Sequence, residues 1–230
     1  MRVEDKSSRG RSWQKLSVSV LLFVVLLAIC IEVQAQGSAK SLEPATAKSV
    51  EMDYRGGLVS PPLEKPKFTL TDTSGRPFDF RARTQGSLTL LFFGYTHCPD
   101  VCPLQMQTLA SAMKKIPPRT AREIKVVFVT TDPDRDTPPV LRSYLDHFNK
   151  DFIGLTGSEQ AIEAAQIAAN LSPAKKSTVR PDGSYEVGHA AFVLAYTKDN
   201  RAHVIYPLGV QLDDLVHDLP LLTKETWAKP

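Results

Sequence analysis

Two cysteines four residues apart, Cys98 and Cys102, have the residue type and the spacing that thiol chemistry requires. They follow an apolar run, residues 88–93, which predicts a buried strand that ends at Gly94. Pro103 fits the first turn of a helix, where its missing N–H costs nothing. We therefore expect Cys98 in the loop before a helix and Cys102 at the helix N-terminus. Unpaired N–H groups and the helix dipole stabilise a thiolate there, which predicts a lowered thiol pKa.

The spacing of the pair allows more than one use. Residues four apart on a helical turn share one face, close enough for a disulfide or for two thiolates on one metal ion. A static disulfide is the alternative, but so short a loop gains little from closure. A peroxide-reducing thiol enzyme is a further alternative, which the absence of a Pro-x3-Thr-x2-Cys sequence disfavours. The pair therefore predicts redox or metal chemistry.

A histidine and an acidic segment could complete such a site. His189 precedes a predicted strand over residues 190–196, in a loop that can reach the cysteines. Histidines in loops are usually solvated, so the residues alone leave its role open. The acidic segment, residues 132–136, follows a second buried strand, at the sheet end where ligands bind in α/β folds. Asp132 and Asp136 either cap the next helix or act on the site, by electrostatics, by orienting the imidazole or by docking a partner.

The surrounding elements predict a thioredoxin-like α/β sandwich with an N-terminal hairpin and a C-terminal β-hairpin plus helix. Strand patterns and turns predict the hairpins, and helical spacing predicts the connecting helices. The predicted strands cover residues 68–71, 78–80, 88–93, 124–130, 152–155, 190–196 and 202–206, and the predicted helices cover residues 103–116, 138–148, 158–170 and 212–222.

The first part of the chain has the features of a targeting signal. Basic residues in the first 15 positions precede an apolar run over residues 16–31, and small residues before position 36 favour signal-peptide cleavage after Ala35. The run also permits an uncleaved membrane anchor. Residues 36–66 are rich in Ser, Ala, Lys, Glu and Pro and predict a flexible tether before a domain over residues 67–230. We expect export to the bacterial periplasm, either free or anchored to the inner membrane.

Charge argues against a nucleic-acid partner. The 230 residues carry a formal net charge of +3, and 23 basic and 22 acidic residues remain after residue 35. That balance lacks the clustered basic face of a nucleic-acid-binding protein. Two of the three cysteines lie after residue 35, in a part of the chain expected to meet an oxidising compartment.

Three separated segments resemble the Sco/SenC family of copper-binding proteins, which help to metallate the binuclear copper centre of cytochrome c oxidase. Residues 93–103, FGYTHCPDVCP, match the cysteine motif of that family. Residues 131–138, TDPDRDTP, match its acidic motif, and His189 matches its histidine ligand. The resemblance covers residues 67–222.

The resemblance implies a copper metallochaperone that binds one copper ion through Cys98, Cys102 and His189. Soft copper(I) takes thiolates readily, and an imidazole helps the same pocket to bind copper(II). The implied partner is a copper-receiving oxidase subunit or another copper chaperone. A second role stays open, in which the redox-active cysteine pair reduces the copper-ligand cysteines of the target. Gly188 stands where many relatives have an acidic residue, so that carboxylate cannot orient the imidazole, and His97 is not expected to be a ligand.

Overall fold

The structure is a computed structural model and describes residues 54–225 and residue 227. Over these residues it contains ten strands and six helices. The strands are β1 (Gly57–Glu64), β2 (Thr69–Asp72), β3 (Pro77–Asp79), β4 (Leu88–Gly94), β5 (Ile124–Thr130), β6 (Ile153–Thr156), β7 (Lys175–Lys176), β8 (Val187–Gly188), β9 (Val193–Tyr196) and β10 (Arg201–Tyr206). The helices are α1 (Phe80–Arg83), α2 (Val101–Lys115), α3 (Pro118–Ala121), α4 (Pro138–Asp146), α5 (Glu159–Ala168) and α6 (Leu212–Leu222).

Eight of these strands form one mixed sheet, in the order β1-β10-β9-β4-β5-β6-β2-β3. The central strands β4, β5 and β6 are parallel, and the flanking pairs are antiparallel. Gly94 at the end of β4 lies opposite Thr130 at the end of β5. The cysteines follow the first strand and the acidic segment follows the second, so both segments leave the sheet at the same edge.

The core has one helical layer on each face of the sheet, because side chains alternate along a strand. All seven residues of β4 are buried. Leu90 and Phe92 pack in the cluster that contains α2, α4 and α6, whereas Leu91 and Phe93 pack in the cluster that contains α5 and Phe80 of α1. A strand that is buried on both faces has an apolar sequence throughout. The predicted α/β sandwich is confirmed.

Most predicted elements lie where expected. The opening hairpin is β2 and β3, the closing hairpin is β9 and β10, and β5 and α6 have the predicted bounds. The first long helix begins at Val101, two residues before the predicted start, so that Cys102 is its second residue.

Strand β1 lies inside the predicted tether, residues 36–66, and the tether prediction is wrong for this strand. It pairs antiparallel with β10 at the edge of the sheet, and its register shifts between Leu58 and Leu63. Pro61 and Pro62 lie in that irregular stretch. An edge strand tolerates proline because its outer N–H groups have no partner strand.

The predicted signal or anchor, residues 1–35, and the first part of the tether lie outside the described residues. Among the residues that the structure does describe, no helix has the length and apolar character needed to cross a membrane.

Candidate metal site

The cysteine turn, which we define as residues 95–102, connects β4 to α2. The amide of Cys98 donates to the carbonyl of Tyr95 at 3.3 Å, and the amide of Cys102 donates to the sulfur of Cys98 at 3.4 Å. The unpaired N–H groups of a helix N-terminus favour negative charge. At this helix N-terminus the amide hydrogen bond is accepted by the sulfur of Cys98, and not by that of Cys102, which lies inside the helix.

Gly94 makes room for the second sulfur. A Cβ at this position would lie 2.9 Å from the Cys102 sulfur and 2.9 Å from Cε1 of Phe92. Real Cβ atoms essentially never approach other atoms so closely, so the end of β4 needs a residue without a side chain. The missing side chain lets Cys102 pack directly over the strand end.

His189 follows β8, and its ring lies against the cysteine turn. Nε2 lies 3.4 Å from the Cys102 sulfur, and Nδ1 lies 3.0 Å from the carbonyl oxygen of Ala190. A carbonyl only accepts, so Nδ1 carries the proton and Nε2 keeps its lone pair towards the sulfur. The rings of Phe92 and Tyr95 meet the imidazole edge to face, with centroids 6.0 and 5.8 Å away.

The structure thus brings together Cys98, Cys102 and His189, the three residues named from the sequence. One potential ligand atom from each lies within 4.8 Å of the others, and no other group of three such residues occurs within the described part of the chain. Both cysteines are free. Two sulfurs and an imidazole nitrogen at this separation can bind one soft metal ion, whose bonds to such ligands are about 2.0–2.3 Å long.

Before a metal binds, burial disfavours the charged forms of Cys102 and His189. Burial raises the pKa of the Cys102 thiol, and the neighbouring Cys98 adds to this rise. The prediction of a lowered pKa is therefore wrong for Cys102, because loss of hydration outweighs the helix terminus. Burial lowers the pKa of His189, opposed by the carbonyls of Ala190 and Phe93. A neutral thiol and a neutral imidazole face each other, and a bound metal ion has to displace the thiol proton.

Asp136 stabilises the cysteine turn. Its buried carboxylate accepts hydrogen bonds from the amide and hydroxyl of Thr96, at 2.9 and 2.5 Å, and from the hydroxyl of Thr130 at 2.6 Å. His97 Nδ1 lies 3.6 Å from the same carboxylate. His97 is outside the three-residue group.

Asp132 contacts the segment that carries the histidine, which we call the histidine hairpin, residues 175–189. Its buried carboxylate accepts from the hydroxyl of Tyr185 at 2.7 Å and from Nε of Arg135. The Arg135 guanidinium also lies 3.7 Å from the centroid of the Tyr185 ring. Nearby, Lys176 donates to Asp134 at 2.7 Å. The acidic segment therefore contacts both parts of the site.

One of the predicted roles of these aspartates is not found. Among the hydrogen bonds of the described residues, neither Asp132 nor Asp136 bonds to His189. The carbonyl of Ala190 orients the imidazole instead, in place of the carboxylate that Gly188 cannot supply. A main-chain carbonyl has no signature in a sequence, so residue types could not have revealed it. Tyr185 was also missed, since its partner lies 53 residues away.

Comparison with known proteins agrees with this geometry. The family model described as SCO1/SenC matches residues 59–223. A protein of Stutzerimonas stutzeri named for copper binding is 33% identical over 159 residues, which are 67% of this chain and 74% of that protein. Mitochondrial SCO2 of Saccharomyces cerevisiae is 33% identical over 147 residues, 64% of this chain, but the match spans only 48% of that longer protein.

A solved structure shows the same fold. ScoI of Bradyrhizobium japonicum, determined with copper bound, is 31% identical, with a TM-score of 0.62 over 70% of this chain and 99% of that one. The match of the family model covers most of the chain, including both cysteines, the acidic segment and the histidine. This chain belongs to the SCO1/SenC family.

Proposed function

We propose that this protein is a copper metallochaperone, which binds one copper ion through Cys98, Cys102 and His189 and delivers it to the binuclear copper centre of cytochrome c oxidase. The observation that carries the proposal is the approach of the two sulfurs and the imidazole to within 4.8 Å of one another. The family adds weight, because a related structure contains copper.

The chemistry of the three side chains favours copper over harder ions. Thiolates are soft ligands that select copper(I), and imidazole is a good ligand for both copper oxidation states. The lone pair of His189 Nε2 already faces Cys102, since its other nitrogen donates to Ala190. The aromatic rings of Phe92 and Tyr95 pack edge to face against the imidazole. Zinc usually takes a fourth ligand, which this group does not supply.

Delivery to the oxidase and location in the periplasm are the further parts of the proposal. Membership of the SCO1/SenC family supports an oxidase subunit, or a second copper chaperone, as the partner. The basic and apolar residues at the start of the chain support export, followed either by cleavage after Ala35 or by retention as an anchor. Fractionation of cells that express the full chain, with and without residues 1–35, tests the location.

Copper binding by the purified, fully reduced full-length protein tests the central claim. We expect one copper per chain and, with copper(II), a sulfur-to-copper charge-transfer band. Cys98→Ser and Cys102→Ser should each abolish that band. His189→Ala should greatly weaken copper(II) binding but leave a dithiol that binds copper(I). His97→Ala is the matched control, because this neighbouring histidine is not in the ligand group. Unchanged copper(II) affinity in His189→Ala would refute the assignment of the imidazole.

A second function, thiol-disulfide reduction, is favoured by one observation, the presence of two free thiols within 4.8 Å of each other. In this reaction both thiols give up a proton and an electron, form the Cys98–Cys102 disulfide and convert a disulfide of the target into two thiols. A measured reduction potential of the pair tests it. A potential too oxidising to reduce the copper-ligand disulfide of the target excludes this function.

A further inference from the structure

The side chain of Arg135 contacts both halves of the candidate site. Its guanidinium carbon lies 3.7 Å from the centroid of the Tyr185 ring, in the histidine hairpin, and 5.8 Å from the centroid of the Tyr95 ring, in the cysteine turn. Both distances are within the range of about 6 Å over which a cation is attracted to an aromatic ring. Arg135 thus touches the turn that supplies the two sulfurs and the hairpin that supplies the imidazole.

Hydrogen bonds fix the plane of this guanidinium. Nε donates to the buried carboxylate of Asp132, and Nη1 donates to the carbonyl of Tyr185 at 3.4 Å. The same carboxylate accepts from the Tyr185 hydroxyl at 2.7 Å. The amide of Asp132 donates in turn to the hydroxyl of Thr130, the last residue of β5, at 2.9 Å. Arg135 and Asp132, which we call the arginine clamp, therefore join Tyr185 to the central sheet.

The hydrogen bond between His189 and Ala190 cannot supply this link. It joins neighbouring residues, so it orients the ring within its own segment and moves with that segment. The distance from the imidazole to the cysteine turn depends instead on where the hairpin lies. On the side of the turn, the Tyr95 ring meets the imidazole edge to face, with centroids 5.8 Å apart. A side chain that contacts both Tyr95 and Tyr185 can fix that distance.

The other anchors of the hairpin are less able to orient it. Lys176 pairs with Asp134, whose side chain is exposed, and exposed pairs contribute little to stability. Val187 is buried in the apolar core, but apolar packing is not directional and does not set the angle of the hairpin. The guanidinium of Arg135 is a rigid planar fork, so its hydrogen bonds and its stacking together define an orientation.

We propose that Arg135 is a positioning residue of the metal site, which holds the histidine hairpin, and with it the His189 imidazole, against the cysteine turn. This role rests on the proposed function, because it concerns the ligand that the hairpin supplies. The contacts that carry it join a guanidinium, a carboxylate and two aromatic rings, and none of them involves a cysteine. Loss of the clamp should loosen the hairpin and thereby weaken metal binding.

Arg135→Lys tests the clamp in the full-length, reduced protein. Lysine keeps a positive charge beside Asp132, so the variant avoids the large cost of leaving a buried carboxylate without its cation. It removes the planar fork that bonds to Asp132 and Tyr185 at once and stacks on the Tyr185 ring, because an ammonium is a point charge.

Arg142→Lys is the matched control. Arg142 lies on α4, where Nε donates to Asp146 at 3.0 Å and Nη1 donates to the carbonyl of Phe152 at 2.8 Å. Its side chain is 29% exposed, close to the 23% of Arg135, so the same substitution removes a similar set of contacts. None of the hydrogen bonds given for Arg142 reaches the cysteine turn or the histidine hairpin.

The first readout needs no metal. Amide hydrogen exchange of the reduced, metal-free protein should be about 5- to 10-fold faster over residues 175–189 in Arg135→Lys, since the hairpin opens locally when it loses directional contacts. Exchange in β4 should not change, because that strand is buried in the sheet. Arg142→Lys should leave exchange in the hairpin at the wild-type rate.

The second readout is copper(II) affinity, measured by competition with a chelator. Arg135→Lys should bind copper(II) about 5- to 10-fold more weakly than the wild type, and Arg142→Lys should bind it equally well. In the His189→Ala background, Arg135→Lys should cause no further loss, because no imidazole remains to be positioned. Such coupling between two substitutions distinguishes positioning of His189 from a general loss of stability, which would add to the effect of His189→Ala.

The results separate this role from the function beneath it. Copper binding by the wild type, together with identical behaviour of Arg135→Lys and Arg142→Lys, would overturn the role of Arg135 and leave the proposed function intact. An equal loss of affinity with and without His189 would also overturn it, since Arg135 would then act on another part of the site. No copper binding by the wild type would overturn the proposed function, and the role of Arg135 in metal binding with it.

Discussion

The cysteine turn and the histidine hairpin supply the two halves of the site, and they are stabilised in different ways. The cysteine turn continues from a strand whose seven residues are all buried, and Cys102 is itself fully buried. The histidine hairpin has strands of two residues each, Lys175–Lys176 and Val187–Gly188, and lies outside the main sheet. Its contacts with the acidic segment are polar and partly exposed.

The difference indicates which half can move. Segments with few apolar contacts and exposed hydrogen bonds open locally at low free energy, whereas segments continuous with a buried strand open only when the core does. The sulfurs are therefore fixed by the fold, whereas the hairpin joins the apolar core through few of its residues, chiefly Val187 and Tyr185. We expect changes in the cysteine turn to lower global stability, and changes in the hairpin to alter metal binding more than stability.

The largest effect should come from Asp136→Ala. It leaves three donors in the cysteine turn and β5 without their acceptor, at about 1–3 kcal/mol each, so we expect a loss of at least about 3 kcal/mol in the free energy of unfolding. Urea unfolding of the reduced protein measures it. Asp136→Asn, which keeps one carbonyl acceptor, should lose less. A loss below about 1 kcal/mol in Asp136→Ala would remove the distinction between the halves.

An intermediate effect should follow Tyr185→Phe in the histidine hairpin. It removes one hydrogen bond to the buried Asp132 but keeps the ring under Arg135. We expect about 1–2 kcal/mol of lost stability, with faster amide hydrogen exchange confined to residues 175–189 and weaker copper(II) binding. Faster exchange in β4 as well would show that the hairpin and the sheet form one cooperative unit.

The smallest effect should follow Asp134→Asn. The carboxylate of Asp134 is exposed, and its ion pair with Lys176 joins the acidic segment to the hairpin at the surface. Exposed pairs contribute about 0–1 kcal/mol and weaken with salt. Thermal unfolding at low and at high salt measures it, and the difference from the wild type should vanish at high salt. A difference that persists would mean that Asp134 acts through a contact other than this screened ion pair.

The central elements could be predicted because their signals are local. The run over β4 is apolar throughout, and β5 and α6 have clear periodicities, so hydrophobic pattern alone gave their bounds. Strand β1 was missed because prolines and glycines dominate the local pattern, while its stability comes from pairing with β10, far along the chain. The residues of an edge strand do not by themselves indicate that it pairs with a distant strand.

The three side chains that meet at the candidate site could also be predicted, but not what surrounds them. Cys98 and Cys102 have a recognisable spacing, whereas the burial of the second sulfur depends on Gly94 and on the rings around it. That burial reverses the direction of the thiol pKa expected from a helix terminus. The partner of Asp136 lies 40 residues away and that of Asp132 lies 53 residues away. Contacts over such separations follow from the fold and not from local pattern.

The unequal depth of the two sulfurs gives any transfer of the ion an order. Cys98 is partly exposed, whereas Cys102 is fully buried behind it and touches His189. In the proposed delivery, a ligand from an acceptor protein would therefore meet the partly exposed Cys98 and His189 first, and the buried Cys102 sulfur would release the ion last. Under that proposal the ion would leave by stepwise exchange, from the buried sulfur outward.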